Sequence, residues 1–354
     1  MLYLFYFCII IINITFHKHK EMLLMIDFIG LFILLGFSYG AYDNLIFIRR
    51  YMYPEQFESY TEPLFNLIVN ISNKIGLSYR QFIIIISIFI LLFIFNFIKD
   101  KSNNIGYAIA LYLIYPAILV FAQLRFLMAF SIVLNFGIGN LIKKPKFYKI
   151  RATLAIVIAS LIHFGAAFYL LFVLLENKDT KKIVFFTSII CILVYCMGFI
   201  PNVANIMSKF ISEEKVEILI FGHENVEGNF GRAITSLLII VGYIIYYYLF
   251  LVYGVENKKE QEYDKLILNF NIISIISIPL ILKFSMGFLR IPNSMMLLNY
   301  IAISHYFEKK NKNNTILCIS TFIFSFILMV MVVHTPEAIE RVITPFFEQN
   351  ELFF

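Results

Sequence analysis

The sequence predicts an all-α polytopic integral membrane protein, and three observations carry that prediction. Hydrophobic residues fill 60% of the 354 positions and charged residues only 15%. Mean hydropathy is +0.82. Apolar runs near the ~20 residues needed to cross a hydrocarbon core recur from end to end. They fall at 2–16, 22–41, 80–98, 105–122, 124–142, 152–175, 182–200, 232–253, 266–282, 286–307 and 314–334. The chain therefore reads as about 10–11 membrane segments in one transmembrane domain, 1–354. Outer loops are expected at 42–79 and 201–231, with an outward C-terminal tail at 335–354.

Taken in order, the run 2–16 has no basic residues before it and no small-residue cleavage site after it, so it reads as a retained helix entered from outside. In the loop that follows the second segment, Thr61-Glu62-Pro63 predicts a short helix ending near Gly76. Ser78-x-x-Gln81 is a capping box that opens the third segment. Basic loops at 17–21, 99–101 and 143–151 mark the cytoplasmic side, and Lys309-Lys310-Asn311-Lys312 is a further marker. Five segments separate the last two markers, and an odd number of crossings cannot return the chain to one side. The segment 152–175, interrupted by His163-Phe164-Gly165, is the one expected not to cross. Reading it as re-entrant places more of the lysines and arginines on the cytoplasmic side than eleven crossings would. In 201–231, Ile206, Met207, Phe210, Ile211, Ile218 and Leu219 alternate with Glu213, Glu214, Lys215 and Glu217, the pattern of a helix lying in the interface.

Composition also excludes. The net charge of +6 is distributed in short runs between apolar segments, which follows membrane topology and gives no reason to expect a nucleic-acid partner. Cys8, Cys191, Cys196 and Cys318 lie in apolar runs without metal or disulfide spacing and read as small core hydrophobes. His223-Glu224 has no second histidine at helical spacing, so no metal is expected. There is no P-loop, no GxGxxG, no nucleophile elbow and no CxxC; no cofactor is implied.

Candidate functional residues are charges that the membrane makes expensive. Arg125 is the only full charge between Ile105 and Ile142, and an arginine in hydrocarbon costs roughly 2.5–3.5 kcal/mol on insertion scales. Its planar fork of donors suits phosphate oxygens; the alternative is an interface anchor. Arg290, in Phe288-Leu289-Arg290-Ile291-Pro292, repeats the situation, and the two together make a pyrophosphate clamp conceivable. Arg232 reads first as a helix-end anchor. His163 stands alone in 24 residues without a full charge. Asp43, Arg49, Arg50, Glu55, Glu58 and Glu62 crowd the first outer loop, with Asp43 and Glu62 placed most suggestively.

The ordered set resembles the EpsG family of Wzy-like exopolysaccharide polymerases. The matching positions are Asp43 after the second segment, Glu62-Pro63-Leu64-Phe65, Arg125 with Ala129, His163-Phe164-Gly165-Ala166, and Arg290 with Tyr300. Two positions depart from the family pattern: Ser38 stands where an arginine is usual, and Phe126 where a glutamine is usual. The resemblance implies a GT-C-like architecture and a glycosyltransferase-type polymerase in the bacterial inner membrane. Its substrate would be an oligosaccharide repeat unit on polyprenyl pyrophosphate, and its product a capsular or exopolysaccharide or O-antigen. Arg125 and Arg290 would bind pyrophosphate, with Arg232 and Tyr300 as further binding candidates. His163, Glu62 or Asp43 would act as base or orient the acceptor. Membrane lipids and a chain-length regulator are the partners it suggests. The rival readings are a lipid-linked oligosaccharide flippase, for which no internal repeat is seen, and a membrane acyltransferase modifying surface sugars.

The topology has a direct test. Single cysteines at Ser212 and Lys310, in a background lacking the four native cysteines, are expected to react with an impermeant thiol reagent from outside only at 212; labelling from outside at 310 and not at 212 would reject the re-entrant segment.

Overall fold

The computed structural model describes residues 2–38, 42–57, 62–197, 226–253, 258–284, 286–307, 312–333 and 338–352. It is nearly all helix, and among the described residues the only strand-like pairing is the isolated bridge Ser38–Asn350. In chain order the helices are α1 (Leu2–Thr15), α2 (Lys20–Phe37), α3 (Tyr42–Met52), α4 (Pro63–Lys74), α5 (Tyr79–Lys101), α6 (Ile105–Ile114), α7 (Ala117–Phe121), α8 (Leu124–Ile132), α9 (Gly139–Lys143), α10 (Tyr148–Ile162), α11 (Leu170–Leu175) and α12 (Thr180–Met197). They continue with α13 (Val226–Tyr253), α14 (Lys258–Ser274), α15 (Ser277–Lys283), α16 (Arg290–Ser304), α17 (Lys312–Leu328) and α18 (Thr344–Glu348).

Among the described residues, five stretches are helical, long and apolar enough to cross a membrane: Tyr79–Lys101, Leu124–Lys143, Thr180–Met197, Glu262–Lys283 and Thr315–Val332. Shorter apolar helices lie at Leu2–Thr15, Ile105–Ile114, Phe164–Leu175 and Ala233–Ile245. The chain is a polytopic membrane protein, and its surface confirms the solvent it is built for. Ile85 and Leu92 on α5, Leu154 and Ile158 on α10, Phe185 and Ile192 on α12, and Ile319 and Phe326 on α17 all point outward. Small polar residues point inward.

Several expected elements appear as drawn, and others differ for physical reasons. Ser78 and Gln81 form the reciprocal capping box at the start of α5. The helix α4 starts at Pro63 and its chain turns at Gly76, which takes φ +77°. The loop 42–79 is thus structured, holding α3, a 3-10 turn at Pro54–Phe57, and α4. The run 105–122 is not one helix. Pro116 has no N–H to donate, and Tyr115 before it takes an extended conformation (φ −158°, ψ 134°), so α6 ends and α7 starts anew. The cysteines are not core residues: Cys8 and Cys196 are exposed and Cys191 and Cys318 partly so, on faces where lipid tolerates a thiol as readily as a methyl. The expected interface helix of 201–231 lies outside the described residues up to 225; from Val226 the chain is already in α13.

The chain divides into two compact units. The first comprises residues 1–58, 62–167 and 296–354. Here α1 approaches α6 at Gly106, where a Cβ would sit 2.5 Å from the Asn13 carbonyl oxygen and 2.8 Å from the His17 Cα. Buried Asn13 on α1 donates to buried Asp27 on α2. Phe28 of α2 meets Phe95 of α5 edge-on. The C-terminal tail closes this unit. Phe347 stacks on Tyr3, Asn350 donates to the Ile33 carbonyl at 3.1 Å, and Glu351 pairs with Arg80. Buried Ser131, Thr321 and Ser325 donate to carbonyls of their own helices, so they pack closely without exposing unpaired polar groups to hydrocarbon.

The second unit comprises residues 59–61 and 168–295. Its core stacks Phe172 on Phe270, 4.2 Å between centroids and 10° from parallel. Thr180 at the start of α12 donates to Asn269 of α14 at 3.0 Å. Buried Tyr169 shares a hydrogen bond with Ser294 of α16.

The Gly106 contact gives a stability prediction. Gly106→Ala pushes a Cβ into backbone atoms, and overpacking of this kind costs about 1–3 kcal/mol. Gly231→Ala on α13, where nothing lies within 4 Å of the added Cβ, is expected to leave stability level or raise it by up to ~1 kcal/mol through helix propensity. Thermal unfolding in detergent distinguishes the two; equal midpoints would show that α1 and α6 do not pack at this glycine.

Candidate active site

The site is assembled on a buried carboxylate. Pro63 fixes the first turn of α4, and Glu62 occupies the N-cap position before it with φ −125°. Its side chain does not cap its own helix. Instead the carboxylate is 2% exposed and receives two guanidinium groups at one oxygen: Arg125 Nη1 donates to Oε2 at 2.6 Å and Arg50 Nη1 at 3.3 Å.

Each arginine is delivered by a local feature of the sequence. Arg50 lies in the last turn of α3, three residues after Phe47, so both fall on one helix face. Its Nε and Nη2 donate to Asn66 Oδ1, one turn into α4 from Glu62. Arg125 lies in the first turn of α8, because Gln123 leaves helical geometry (φ −114°, ψ 63°) between α7 and α8. Two phenylalanines sandwich these charges. The Arg125 guanidinium sits 4.7 Å from the Phe47 ring centroid and 5.7 Å from that of Phe65, and Arg50 sits 5.1 Å from Phe65. Cations over aromatic faces in such desolvated places gain roughly 2 kcal/mol.

The fourth wall is the break after α10. His163 takes an extended conformation, the helix stops, and a 3-10 stretch Phe164–Tyr169 follows. The backbone N–H of Phe164, freed by the break, donates to Glu62 Oε1 at 3.4 Å. The His163 ring accepts from the Gly165 N–H at Nδ1 (3.1 Å) and meets Phe126 edge-on at 5.4 Å. The structure thus gathers Glu62, Arg125 and His163 from positions up to 101 residues apart in the chain.

Among the described side chains here, two guanidiniums converge on one buried carboxylate. Arg50 is 2% exposed and Arg125 18%, so the partner within reach of solvent is Arg125. Its Nε–H is buried and has no hydrogen-bond partner among the described residues. A donor left in this state is costly. No cluster of three His, Cys, Asp or Glu side chains suited to a metal occurs among the described residues.

The other expected site residues are placed separately. Asp43 lies in the first turn of α3, one turn before Phe47 and two before Arg50, with its side chain outside the described residues, as is that of Arg232 on α13. Arg290 opens α16 after the 3-10 turn Met286–Leu289 and belongs to the second unit. Tyr300 is fully buried in the first unit and its hydroxyl bonds Ser325 at 2.8 Å. Arg50 and Asn66 are the members of the Glu62 cluster that sequence reasoning did not single out. The signals were present in the one-turn spacing of Glu62 and Asn66 and in the spacing of Phe47 and Arg50.

Removing one partner of a buried ion pair strands the other charge, which costs about 3–5 kcal/mol. Arg50→Met is therefore expected to destabilise by that order, and Arg125→Met, at the wetter position, by less. Denaturation of the purified variants measures both, and a larger loss at Arg125 would overturn the assignment of Arg50 as the structural member.

Comparison with known proteins follows the same path as the geometry. The profile described as EpsG family matches residues 21–346, nearly the whole chain. Searches of curated proteins and of solved structures return no match. The matched span holds every residue of the Glu62 cluster, and the chain belongs to the EpsG family, a family of Wzy-like polysaccharide polymerases.

Proposed function

We propose that this protein polymerises oligosaccharide repeat units carried on polyprenyl pyrophosphate, at the outer face of the bacterial inner membrane. The observation that carries the reading is the Arg125 guanidinium, held by Glu62 through Nη1, partly open, and with a buried Nε–H that has no hydrogen-bond partner among the described residues. A pyrophosphate offers several acceptor oxygens on one anion and matches a guanidinium fork.

In this reaction an acceptor sugar hydroxyl attacks the anomeric carbon of the donor. The bond from that carbon to the phosphate oxygen breaks, its electron pair leaves with the pyrophosphate, and the hydroxyl proton passes to a base. Negative charge grows on the leaving oxygen, where a fixed cation stabilises the transition state more than the ground state. Arg125 supplies that charge in this reading, and Arg290 is the second pyrophosphate-binding arginine. Glu62 is suited to a different task from proton transfer. Both of its oxygens already accept hydrogen bonds, from two arginines and from a backbone N–H, so it holds Arg125 in place. Asp43, on the helix that carries Arg50, is then the carboxylate assigned to the acceptor hydroxyl.

Proteoliposomes given a purified lipid-linked repeat unit, with no nucleotide sugar added, are expected to form longer polymers. Translocation of the unit without growth would establish a flippase and sink the reading. Arg125→Ala and Arg290→Ala are each expected to lower polymer yield by about 10²-fold, the loss typical of removing one transition-state donor, while single units remain on the lipid. Normal chain length in both variants would reject the arginine roles.

A further inference from the structure

We propose that a groove between α5, the end of α8 and α10 binds one anionic glycerophospholipid, an acyl chain lying along its apolar walls and the phosphate meeting Arg151. The groove is well away from the Glu62 cluster: along α10, Arg151 lies twelve residues from His163, about 18 Å.

The cavity has a volume of about 550 Å³, within the range of sites that take small ligands. Phe89 and Phe93 of α5 line one side, Phe136 of the widened turn Val133–Ile138 a second, and Leu154 and Ile158 of α10 a third. The rings brace one another edge-on, Phe89 to Phe93 at 4.3 Å and Phe93 to Phe136 at 5.3 Å. Two polar residues, Asn140 and Arg151, also line the cavity. Asn140 turns its Nδ2 back to the Phe136 carbonyl, so Arg151 is the charge that the lining offers. It stands in the first turn of α10, exposed to the surroundings. Ile158 lies seven residues further along the same helix, about 10 Å away. One end of the groove is thus cationic and the other wholly apolar, the polarity of an anionic amphiphile.

Charge complementarity sets the headgroup. Lys143, Lys144, Lys146 and Lys149 precede Arg151, and no acidic residue occurs from Ser102 to Leu175. Asp100, at the end of α5, pairs with Lys101 at 3.2 Å and Lys143 at 2.9 Å, and Arg151 makes no ion pair among the described residues. Basic sites between membrane helices on the cytoplasmic side select anionic headgroups, and a guanidinium fork matches phosphate oxygens.

The walls favour a flexible chain over another helix. Helices associate in membranes through small residues that let backbones approach, and this groove is lined mainly by Phe, Leu and Ile, with Ala155 its one small side chain. The nearby glycines are already used: a Cβ on Gly137 would lie 3.2 Å from Ile156, and one on Gly139 3.2 Å from the Leu134 carbonyl oxygen.

Native mass spectrometry of the full-length protein in non-ionic detergent, with phosphatidylglycerol or phosphatidylcholine added at equal concentration, tests this. One phosphatidylglycerol per chain is expected to be retained in preference to phosphatidylcholine. Arg151→Gln is expected to weaken phosphatidylglycerol binding about fivefold without altering phosphatidylcholine, whereas Lys146→Gln, outside the groove, stays within about twofold of wild type. Both positions are exposed, so neither change disturbs the core. Ala155→Phe fills the groove and is expected to lower retention of both lipids. Equal retention of the two lipids by wild type, or equal losses at Arg151 and Lys146, would overturn the proposal in favour of diffuse attraction. Displacement of phosphatidylglycerol by equimolar polyprenyl phosphate would overturn the occupant, as would a dimer that Ala155→Phe converts to monomer. None of these readings involves polymer formation, so they stand whatever the polymerase assay gives.

Discussion

The carboxylate of Glu62 is the constraint on which the first unit depends. It is almost completely removed from solvent, and a lone carboxylate in such a place would pay a desolvation penalty of several kcal/mol. It is tolerated because Arg50, Arg125 and the N–H of Phe164 all converge on it. Those partners come from α3, α8 and the break after α10, so one charge fixes the relative positions of three stretches that are distant in sequence. Apolar packing could not specify that arrangement, because lipid tails are as good a partner for leucine or isoleucine as another helix is. Here a buried ion pair supplies the specificity that hydrophobic contact lacks.

Interruptions of helix place the site. A membrane helix satisfies its own backbone, and any break frees N–H and C=O groups that must find partners within the protein. The break at His163 uses both of its freed amides: Phe164 N–H binds Glu62 and Gly165 N–H binds the His163 ring. The interruption at Gln123 puts Arg125 in the first turn of a new helix, where its side chain emerges toward the cluster instead of lying along a continuous rod. A regular helix through His163 would have consumed those two amides internally.

Much of this was legible in the sequence, and the limits have a common cause. Local signals read well: the Ser78–Gln81 box, the start of α4 at Pro63 and the break at His163 depend on residues within a few positions of one another. Arg125 and Glu62 were legible as candidates because a charge flanked by apolar residues demands a reason. Their pairing was not, because the two lie 63 residues apart and nothing in either segment names the other. Arg50 was hidden differently. It stands among six charged residues of the first outer loop, and only the fold shows it buried beside Glu62 while Arg49 next to it is exposed. The division of 105–122 at Tyr115-Pro116 was a local signal outweighed by hydropathy, which measures length and apolarity and does not register a missing N–H.

Arg50 and Arg125 share a residue type and a carboxylate partner, and they differ in how their remaining donors are used. Arg50 spends Nε and Nη2 on Asn66 and Nη1 on Glu62, so all three of its nitrogens are directed into the protein. Arg125 spends Nη1 on Glu62 and leaves Nε without a partner among the described residues, on a side chain that is partly open. If Glu62 had only Arg125 as partner, an arriving anion would compete with it for the same guanidinium, and binding would strand a buried carboxylate. With Arg50 in place, Glu62 keeps a cationic partner whatever the remaining donors of Arg125 contact. The second arginine thereby relieves Arg125 of being the carboxylate's sole cation, a burden that in a single buried pair would fall on one guanidinium alone.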